Sequence, residues 1–543
     1  MTRSLDGALE AATGALRSAD WAKATTLFRV ILDEEDLGEA WFGLGVASWW
    51  QGDVTSSLDC WERAHAAFRR AGDDAQAVIA AFYLCLSYRM SLGNEVAANG
   101  WLRQAMALVD DHDLVPVAGW VLLARAYTAN DTHDSTAAAD LARQTLTVAK
   151  ELGDGDLAVC ATCELGYALA ALGDLDEAGS LLDQAMAAAL GGDRDDLDTV
   201  VLVSCRTITA CRRAADLKRA AQWISAAESF QRSHGSTHLF TTCKTHHGAV
   251  LFAAGDWTRA EAELELALQC AGGAEKALRA DVVGVLAELR IAQGRLDDAQ
   301  RLLDGLEDEP ITAVAQARLQ LATGRTSTAA SLIRRRLRQI GAHELERFVL
   351  LDLLAETGAE HVPAVDHESL GEVAGAYASR ARGRAALSAA ATDAHRALED
   401  ALARFGACDL TYECARTRVV LAEAASSSDR DVAVSEARIA LSAFEQLGAD
   451  RDADAAAALL RTLGARAARA APKGLPLLTR REREVLGLLG EGLSNPAISQ
   501  RLYVSRRTVE HHVSSVLRKL GLNNRAEAAA YAVRIAGEVS VPK

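Results

Sequence analysis

Four short runs near the C-terminal end decide how this chain folds there. They are LTRREREVL (478–486), GLSNPAI (492–498), SRRTVEHHV (505–513) and RKLGL (518–522). The first three runs place a Thr or Ser just before a helix-forming stretch, as helix N-caps require. Thr479 and Glu482 have the spacing of a capping box, so the first helix is expected to begin near Arg480. The runs therefore predict a small bundle of short helices. The further predicted caps are Ser494, Ser505 and Asn524.

The third predicted helix, which follows Ser505, has two faces of opposite character. Its apolar residues recur at the spacing of a core-facing stripe: Val509, Val513, Val516, Leu517 and Leu520. The opposite face carries Arg507, Glu510, His511, Ser514 and Arg518. A helix with this polar outer face and arginines at its start fits the major groove of DNA. We therefore interpret the segment as a helix-turn-helix that reads DNA.

Side-chain chemistry divides the candidate DNA-binding residues into two groups. Cationic and hydroxyl side chains suit phosphates, and hydrogen-bonding side chains on the outer face suit base edges. The phosphate candidates are Arg506, Arg507, Thr508 and Lys519. The base-edge candidates are Glu510, His511 and Ser514, and Arg518 completes the predicted set.

The four runs resemble the LuxR-type (NarL/FixJ-type) DNA-binding domain over residues 477–540. The resemblance implies an all-helical domain of four helices, with the helix-turn-helix motif from Asn495 to Ser514. It also implies that the fourth helix, Arg525 to Val533, forms a homodimer on double-stranded DNA. Many members have Glu where Ala497 stands and Lys where Glu510 stands. Because an acidic side chain can accept from cytosine N4, the target sequence does not carry over from relatives.

The charge of the chain is unevenly distributed. The 543 residues carry a net charge of −16. From Pro472 to Lys543 there are 12 Lys plus Arg against six Glu, a net charge of +6, which leaves −22 on the remainder. A basic tail on an acidic body is typical of a DNA-binding module attached to a part that avoids DNA.

Helix-breaking residues recur along the first 330 positions. They begin at Ala19, Gly52, Gly93, Asn130, Gly173, Ala215, Gly255, Gly294 and Gly324. Spacings of 30 to 43 residues are typical of a helical solenoid. The units resemble tetratricopeptide repeats, as in Trp41-x-x-Leu44-Gly45 followed by Gly52-Asp53. We expect an all-α chain with a tetratricopeptide-like array over 1–465, a linker over 466–476 and the DNA-binding module over 477–540.

The array and module together resemble the large LuxR regulators of the MalT type. Those regulators also bind ATP, but this chain contains no Gly-Lys pair and hence no phosphate-binding loop. Motifs of serine hydrolases and zinc proteases are also absent from the sequence. We therefore expect no enzymatic activity and no cofactor.

Three other groups of residues each allow a structural interpretation and a functional one. Cys243, His246 and His247 share a helical face, but without a fourth ligand we expect no metal site. Cys160 and Cys163 fall inside a helix and are interpreted as structural. The tryptophans concentrated in the first 120 residues are interpreted mainly as core, with a ligand or partner pocket as the alternative.

The sequence predicts a cytoplasmic bacterial transcriptional regulator. Scattered cysteines suit a reducing compartment, and no run approaches the roughly 20 apolar residues of a spanning helix. The array is expected to sense a protein partner or small-molecule ligand and to control DNA binding. The alternative is a helical-repeat interaction scaffold with an incidental basic tail.

Overall fold

The computed structural model describes most of the chain. The described residues are 2–112, 114–192, 195–271, 276–342, 344–358, 371–388, 393–465, 480–502, 506–520, 522 and 524–538. They form 28 α-helices and one short 3-10 helix, with no strand among them, so the all-α prediction is confirmed. The chain divides into two compact units, Met1–Asp452 and Ala453–Lys543. The proposed linker, 466–476, lies outside the described residues.

The first unit is a series of helices joined by short turns. In chain order they are α1 (Thr2–Arg17), α2 (Trp21–Glu34), α3 (Gly38–Trp50), α4 (Val54–Ala71), α5 (Asp74–Met90), α6 (Glu95–His112), α7 (Val115–Asp131), α8 (Ser135–Leu152), α9 (Gly155–Leu172), α10 (Leu175–Gly191), α11 (Leu197–Arg213), α12 (Leu217–His234), α13 (Thr237–Ala254), α14 (Trp257–Cys270), α15 (Lys276–Ala292), α16 (Leu296–Leu303), the 3-10 turn Pro310–Thr312, α17 (Ala313–Ala322), α18 (Thr326–Leu337), α19 (Leu345–Glu356), α20 (Glu372–Ser388), α21 (Ala394–Ala407), α22 (Thr411–Ala425) and α23 (Arg430–Leu447). The division between the units falls within α24 (Asp450–Thr462).

The recurring breakers are left-handed turn residues followed by a helix cap. Gly52 has φ +82°, and the next residue, Asp53, accepts a hydrogen bond from the Ser56 amide at the start of α4. The same cap is formed by Asp20, Asp134, Asp174, Asp216 and Asp256. A glycine or alanine that ends one helix and an aspartate that begins the next thus explain the Gly-Asp pattern.

One predicted break is wrong. Asn130 lies inside α7, and the left-handed residue of that turn is His133, with φ +63°. The other eight predicted positions all have positive φ. With His133 in place of Asn130, the spacing to Gly93 and to Gly173 becomes 40 residues on each side, so the repeat is more regular than expected.

The helices form two layers. Every second helix from α5 to α19 packs on the next odd-numbered helix as well as on its sequence neighbours. In α9, 12 of 18 residues are buried, whereas the outer helix α12 buries only one stripe: Ala220, Ile224, Ala227 and Phe230. Small residues allow close approach, since a side chain on Gly248 would lie 2.5 Å from Leu264 Cγ. The tetratricopeptide-like architecture is therefore confirmed.

The array also contacts itself across long sequence separations. The Trp21 indole donates to the His234 carbonyl at 2.7 Å, and the Trp50 indole donates to Asp198 at 2.5 Å. Trp21 and Trp50 stack with ring centroids 4.4 Å apart. The interpretation of these tryptophans as core residues is consistent with this packing.

Helix α9 has the length and apolar composition of a membrane-crossing segment. Within the array, most of its residues are buried. Packing against α7, α8, α10 and α11 accounts for that composition.

The second unit contains the remaining four described helices. They are α25 (Arg480–Gly490), α26 (Asn495–Leu502), α27 (Arg506–Leu520) and α28 (Arg525–Glu538). Their core is formed by Val485, Leu486, Leu488, Leu489, Ile498, Val509, Val513, Val516 and Ala528.

Candidate nucleic-acid interface

The ends of the short helices are fixed by local hydrogen bonds. The Ser494 hydroxyl accepts from the Ala497 amide at 3.5 Å where α26 begins. At α28, Asn524 accepts from the Glu527 amide and donates to the Glu527 carboxylate, both at 2.9 Å. Asn524 thus caps α28 as predicted, and the Glu527 carboxylate bonds the Asn524 side-chain amide instead of the backbone N–H that a capping box uses. Thr479 and Ser505, the other predicted caps, lie outside the described residues.

Helix α27 buries the three valines of the predicted stripe, Leu517 is partly buried, and the Leu520 side chain lies outside the described part of the structure. Val509 and Val516 have no exposed surface and Val513 has 8%. These residues pack with α25 and with Ile498 of α26. The buried stripe fixes the rotation of α27 about its axis, and therefore which residues face outward.

The described part of the outward face carries Arg506, Glu510 and Ser514, all of which are exposed. Arg506 Nε lies 3.3 Å from Glu510 Oε1, one helical turn away. An exposed pair of this kind contributes little stability and exchanges readily with solvent. Both side chains are therefore available to another charged partner.

Five predicted contact residues are described only by their backbone. The side chains of Arg507, Thr508, His511, Arg518 and Lys519 lie outside the described part of the structure. Their backbone lies within α27.

Glu482 has a role that local spacing did not reveal. Its side chain is 5% exposed and accepts a hydrogen bond from the Ser515 hydroxyl at 2.6 Å. The contact joins α25 to α27 on the buried side of the domain. Ser515 was not among the predicted site residues, because a contact across 33 positions leaves no sequence signal.

Arg525 positions α26, the first helix of the helix-turn-helix motif. Its guanidinium donates to Asn495 Oδ1 at 2.6 Å and also to the Leu493 carbonyl. Arg525 thus ties α28 to the start of α26. Sequence reasoning placed this residue only in the fourth helix and missed the contact.

The predicted cysteine and histidine constellations separate in space. His246 is buried beside Thr209, and burial lowers its pKa to about 3. His247 instead faces Glu228 and Glu263, and the atoms of these three side chains that could bind a metal lie within 4.8 Å of one another. The Lys244 ammonium lies 2.9 Å and 2.8 Å from these two carboxylates and pairs with both. The His247 side chain is 23% exposed, so it lies at the edge of the core.

Cys160 and Cys163 are buried in α9 as free thiols. Burial raises the pKa of both, to about 12 for Cys163. A buried thiol with a raised pKa is a poor nucleophile, so the geometry favours the structural interpretation.

Both parts of the chain match families of known proteins. Residues 476–532 match the family model of bacterial regulatory proteins of the luxR family, and residues 119–309 match the MalT-like TPR region. The spore germination protein GerE of Bacillus subtilis is 39% identical over 66 residues, which cover 12% of this chain and 88% of GerE. The chain therefore belongs to the LuxR family of bacterial regulatory proteins.

Other relatives match a small part of the chain. The DNA-binding transcriptional activator DevR/DosR of Mycobacterium tuberculosis is 42% identical over 96 residues, or 17% of this chain and 43% of that protein. The probable transcriptional regulatory protein NarL of the same species is 50% identical over 66 residues, or 12% of this chain and 30% of that protein. The chain thus spans less than half the length of these two curated relatives.

Proposed function

We propose that this protein is a DNA-binding transcriptional regulator whose α27 enters the major groove. The observation that carries the proposal is the division of α27 into a buried face of Val509, Val513 and Val516 and an exposed face that includes Glu510 and Ser514. The segment lies within the luxR-family match, and a helix held by one face in this way can present the other to base edges.

The proposed contacts divide between backbone and bases. Arg506, Arg507, Thr508 and Lys519 bind phosphates, and Glu510, His511, Ser514 and Arg518 face the groove. The Asn495 to Ser514 segment forms the helix-turn-helix, and Arg525 to Val533 forms the contact between two copies on double-stranded DNA. The exposed Glu510 carboxylate suits a cytosine N4 donor, which favours a C·G pair at that position.

The proposed organisation assigns sensing to residues 1–465, a linker to 466–476 and DNA binding to 477–540. Such arrays present extended surfaces to partners. In this proposal the array binds a partner or ligand and changes the DNA affinity of the module. The protein acts in the cytoplasm, without enzymatic activity and without a cofactor.

Titration of random duplex DNA with the full chain at several salt concentrations tests DNA binding. Phosphate contacts release counterions, so affinity is expected to fall steeply as salt rises. The interaction-scaffold alternative predicts no binding or salt-independent binding. Comparing the full chain with residues 466–543 then tests control by the array, since equal affinities in both would contradict it.

A further inference from the structure

A small chamber in the inner layer of the array contains two buried polar atoms that have no partner among the described residues. It lies between α7, α9 and α11. Tyr167 is 3% exposed, and its hydroxyl has no hydrogen-bond partner there. Asn130 is 2% exposed, and its Oδ1 likewise lacks a partner. Buried polar atoms are almost always paired, so a donor and an acceptor in one chamber mark it as a place where a polar group binds.

The orientation of the Asn130 amide is fixed by its neighbours. Its Nδ2 donates to the Glu164 carboxylate at 2.8 Å and to the Glu164 carbonyl at 3.3 Å. Both of these oxygens can only accept, so the nitrogen must face them and Oδ1 must face away. Arg206 holds the same carboxylate through two hydrogen bonds of 2.7 Å and 2.8 Å. The acceptor on Asn130 is therefore held rigidly.

Arg213 supplies a positive charge at the same place. Its guanidinium lies 5.4 Å from the centre of the Tyr167 ring, and it forms no ion pair or hydrogen bond with the described residues. Three nearby carboxylates have ion pairs with other arginines: Asp281 with Arg212, Glu288 with Arg318 and Glu346 with Arg336. Glu344, which lines the chamber, contacts His133 and interacts electrostatically with Arg213. Among these arginines, Arg213 is the one without an ion pair within the described residues.

The chamber adjoins a much larger cavity in the same unit. The chamber itself has about 20 Å³, enough for one water or one functional group. The larger cavity has about 690 Å³, within the range of sites for small molecules. Arg213 and Glu344 line both spaces. A molecule in the larger cavity that contacts Arg213 therefore lies next to the chamber.

We propose that the cavity binds a small organic or inorganic anion that also carries a hydroxyl group. Its carboxylate or phosphate pairs with Arg213 from the larger cavity. Its hydroxyl enters the chamber, where it accepts from the Tyr167 hydroxyl and donates to Asn130 Oδ1. This proposal deepens the sensing role given to the array above and rests on it. It names the chemical class of the signal and the residues that recognise it.

Calorimetric titration of the full chain with inorganic phosphate, citrate and neutral glycerol at constant ionic strength tests the site. Phosphate and citrate both carry a hydroxyl donor and separate the two possible anionic groups. We expect one of them to bind with a stoichiometry of one and glycerol not to bind. Loss of a charge-assisted contact in Arg213→Gln should weaken binding by about tenfold or more.

Tyr167→Phe removes only the hydroxyl oxygen and should weaken binding by severalfold even if Arg213→Gln fails to fold. Arg232→Gln, on the exposed face of α12, is the matched control and should bind as the unmodified chain does. Absence of binding by both anions, or equal binding by Arg213→Gln, Tyr167→Phe and the control, overturns the proposal. DNA affinity measured on the same preparations distinguishes a failure of the anion site from a failure of the proposed function. Anion binding without DNA binding supports the anion site and contradicts the proposed function as a DNA-binding regulator. DNA binding without anion binding supports that function and contradicts the anion site.

Discussion

The Ser515 hydroxyl lies 2.6 Å from the Glu482 carboxylate, and both side chains are buried between α25 and α27. The contact anchors the proposed recognition helix to the first helix of the domain. Its neighbour Ser514 faces solvent on the same helix. The two adjacent serines thus differ in environment: Ser515 is buried in the domain, and Ser514 lies on the proposed recognition face.

Ser515→Ala should destabilise the second unit by about 1–3 kcal/mol, because it leaves a buried carboxylate with one acceptor unsatisfied. Hydrogen exchange of α27 amides in the full chain measures the loss of protection. Ser514→Ala is the control and should leave protection unchanged while altering DNA recognition. Equal protection in both variants would contradict the structural role of Ser515.

Substitutions on α27 should separate specificity from general affinity. Glu510→Ala and His511→Ala should each cost about 1–3 kcal/mol on the preferred sequence and little on random DNA. Arg507→Ala should weaken both by a similar factor, because phosphates are present at every site. Competition titrations with the two kinds of duplex measure the ratio of affinity for the preferred sequence to affinity for random DNA. If Glu510→Ala and His511→Ala lose equal affinity on both duplexes, the base-edge assignment is wrong.

The stability of the array should depend on pH through Asp198. Burial, followed by the charge of Asp196, raises the pKa of Asp198 to about 7. The folded chain keeps this proton where the unfolded chain, with an aspartate pKa of about 3.9, has released it. Asp198 therefore contributes stability at low pH that is lost as the pH rises from about 4 to about 7.

Thermal unfolding of Asp198→Asn across this pH range tests that sign. The amide oxygen can still accept from Trp50, and the variant should lose the decline in Tm with rising pH that Asp198 produces. Asp110→Asn, at an exposed position, is the control and should follow the unmodified chain. A parallel pH profile in Asp198→Asn and the unmodified chain would refute the assignment.

Ala215 occupies a turn position that favours glycine. Its φ is +60°, a conformation that costs L-residues about 1–2 kcal/mol. A glycine avoids this cost, but it loses more conformational entropy on folding, which offsets part of the stabilisation. Ala215→Gly should therefore stabilise the array by roughly 0.5–1 kcal/mol. Ala214→Gly, where φ is −79°, should destabilise it by a similar amount. Denaturation followed by tryptophan fluorescence reports on the array, because all nine tryptophans precede residue 258.

The features that the sequence predicted are those set by neighbouring residues. Gly52 and Asp53 determine a turn and a cap within five positions, and the valines of α27 mark its buried face within three turns. His133 was missed because a histidine in the left-handed conformation looks like any other histidine in the sequence. The Trp50 to Asp198 contact spans 148 positions, and the chamber beside Tyr167 forms only where α7, α9 and α11 meet. Such contacts depend on how the repeats stack, which no local pattern encodes.

Selection of bound duplexes from a randomised library by the full chain tests the central claim most directly. The account predicts enrichment of one motif with two inverted half-sites, as two copies joined through α28 require. The motif should change in the Glu510→Ala variant and should be bound less tightly as salt rises. Recovery of sequences no different from the starting library would contradict the claim that this chain reads DNA.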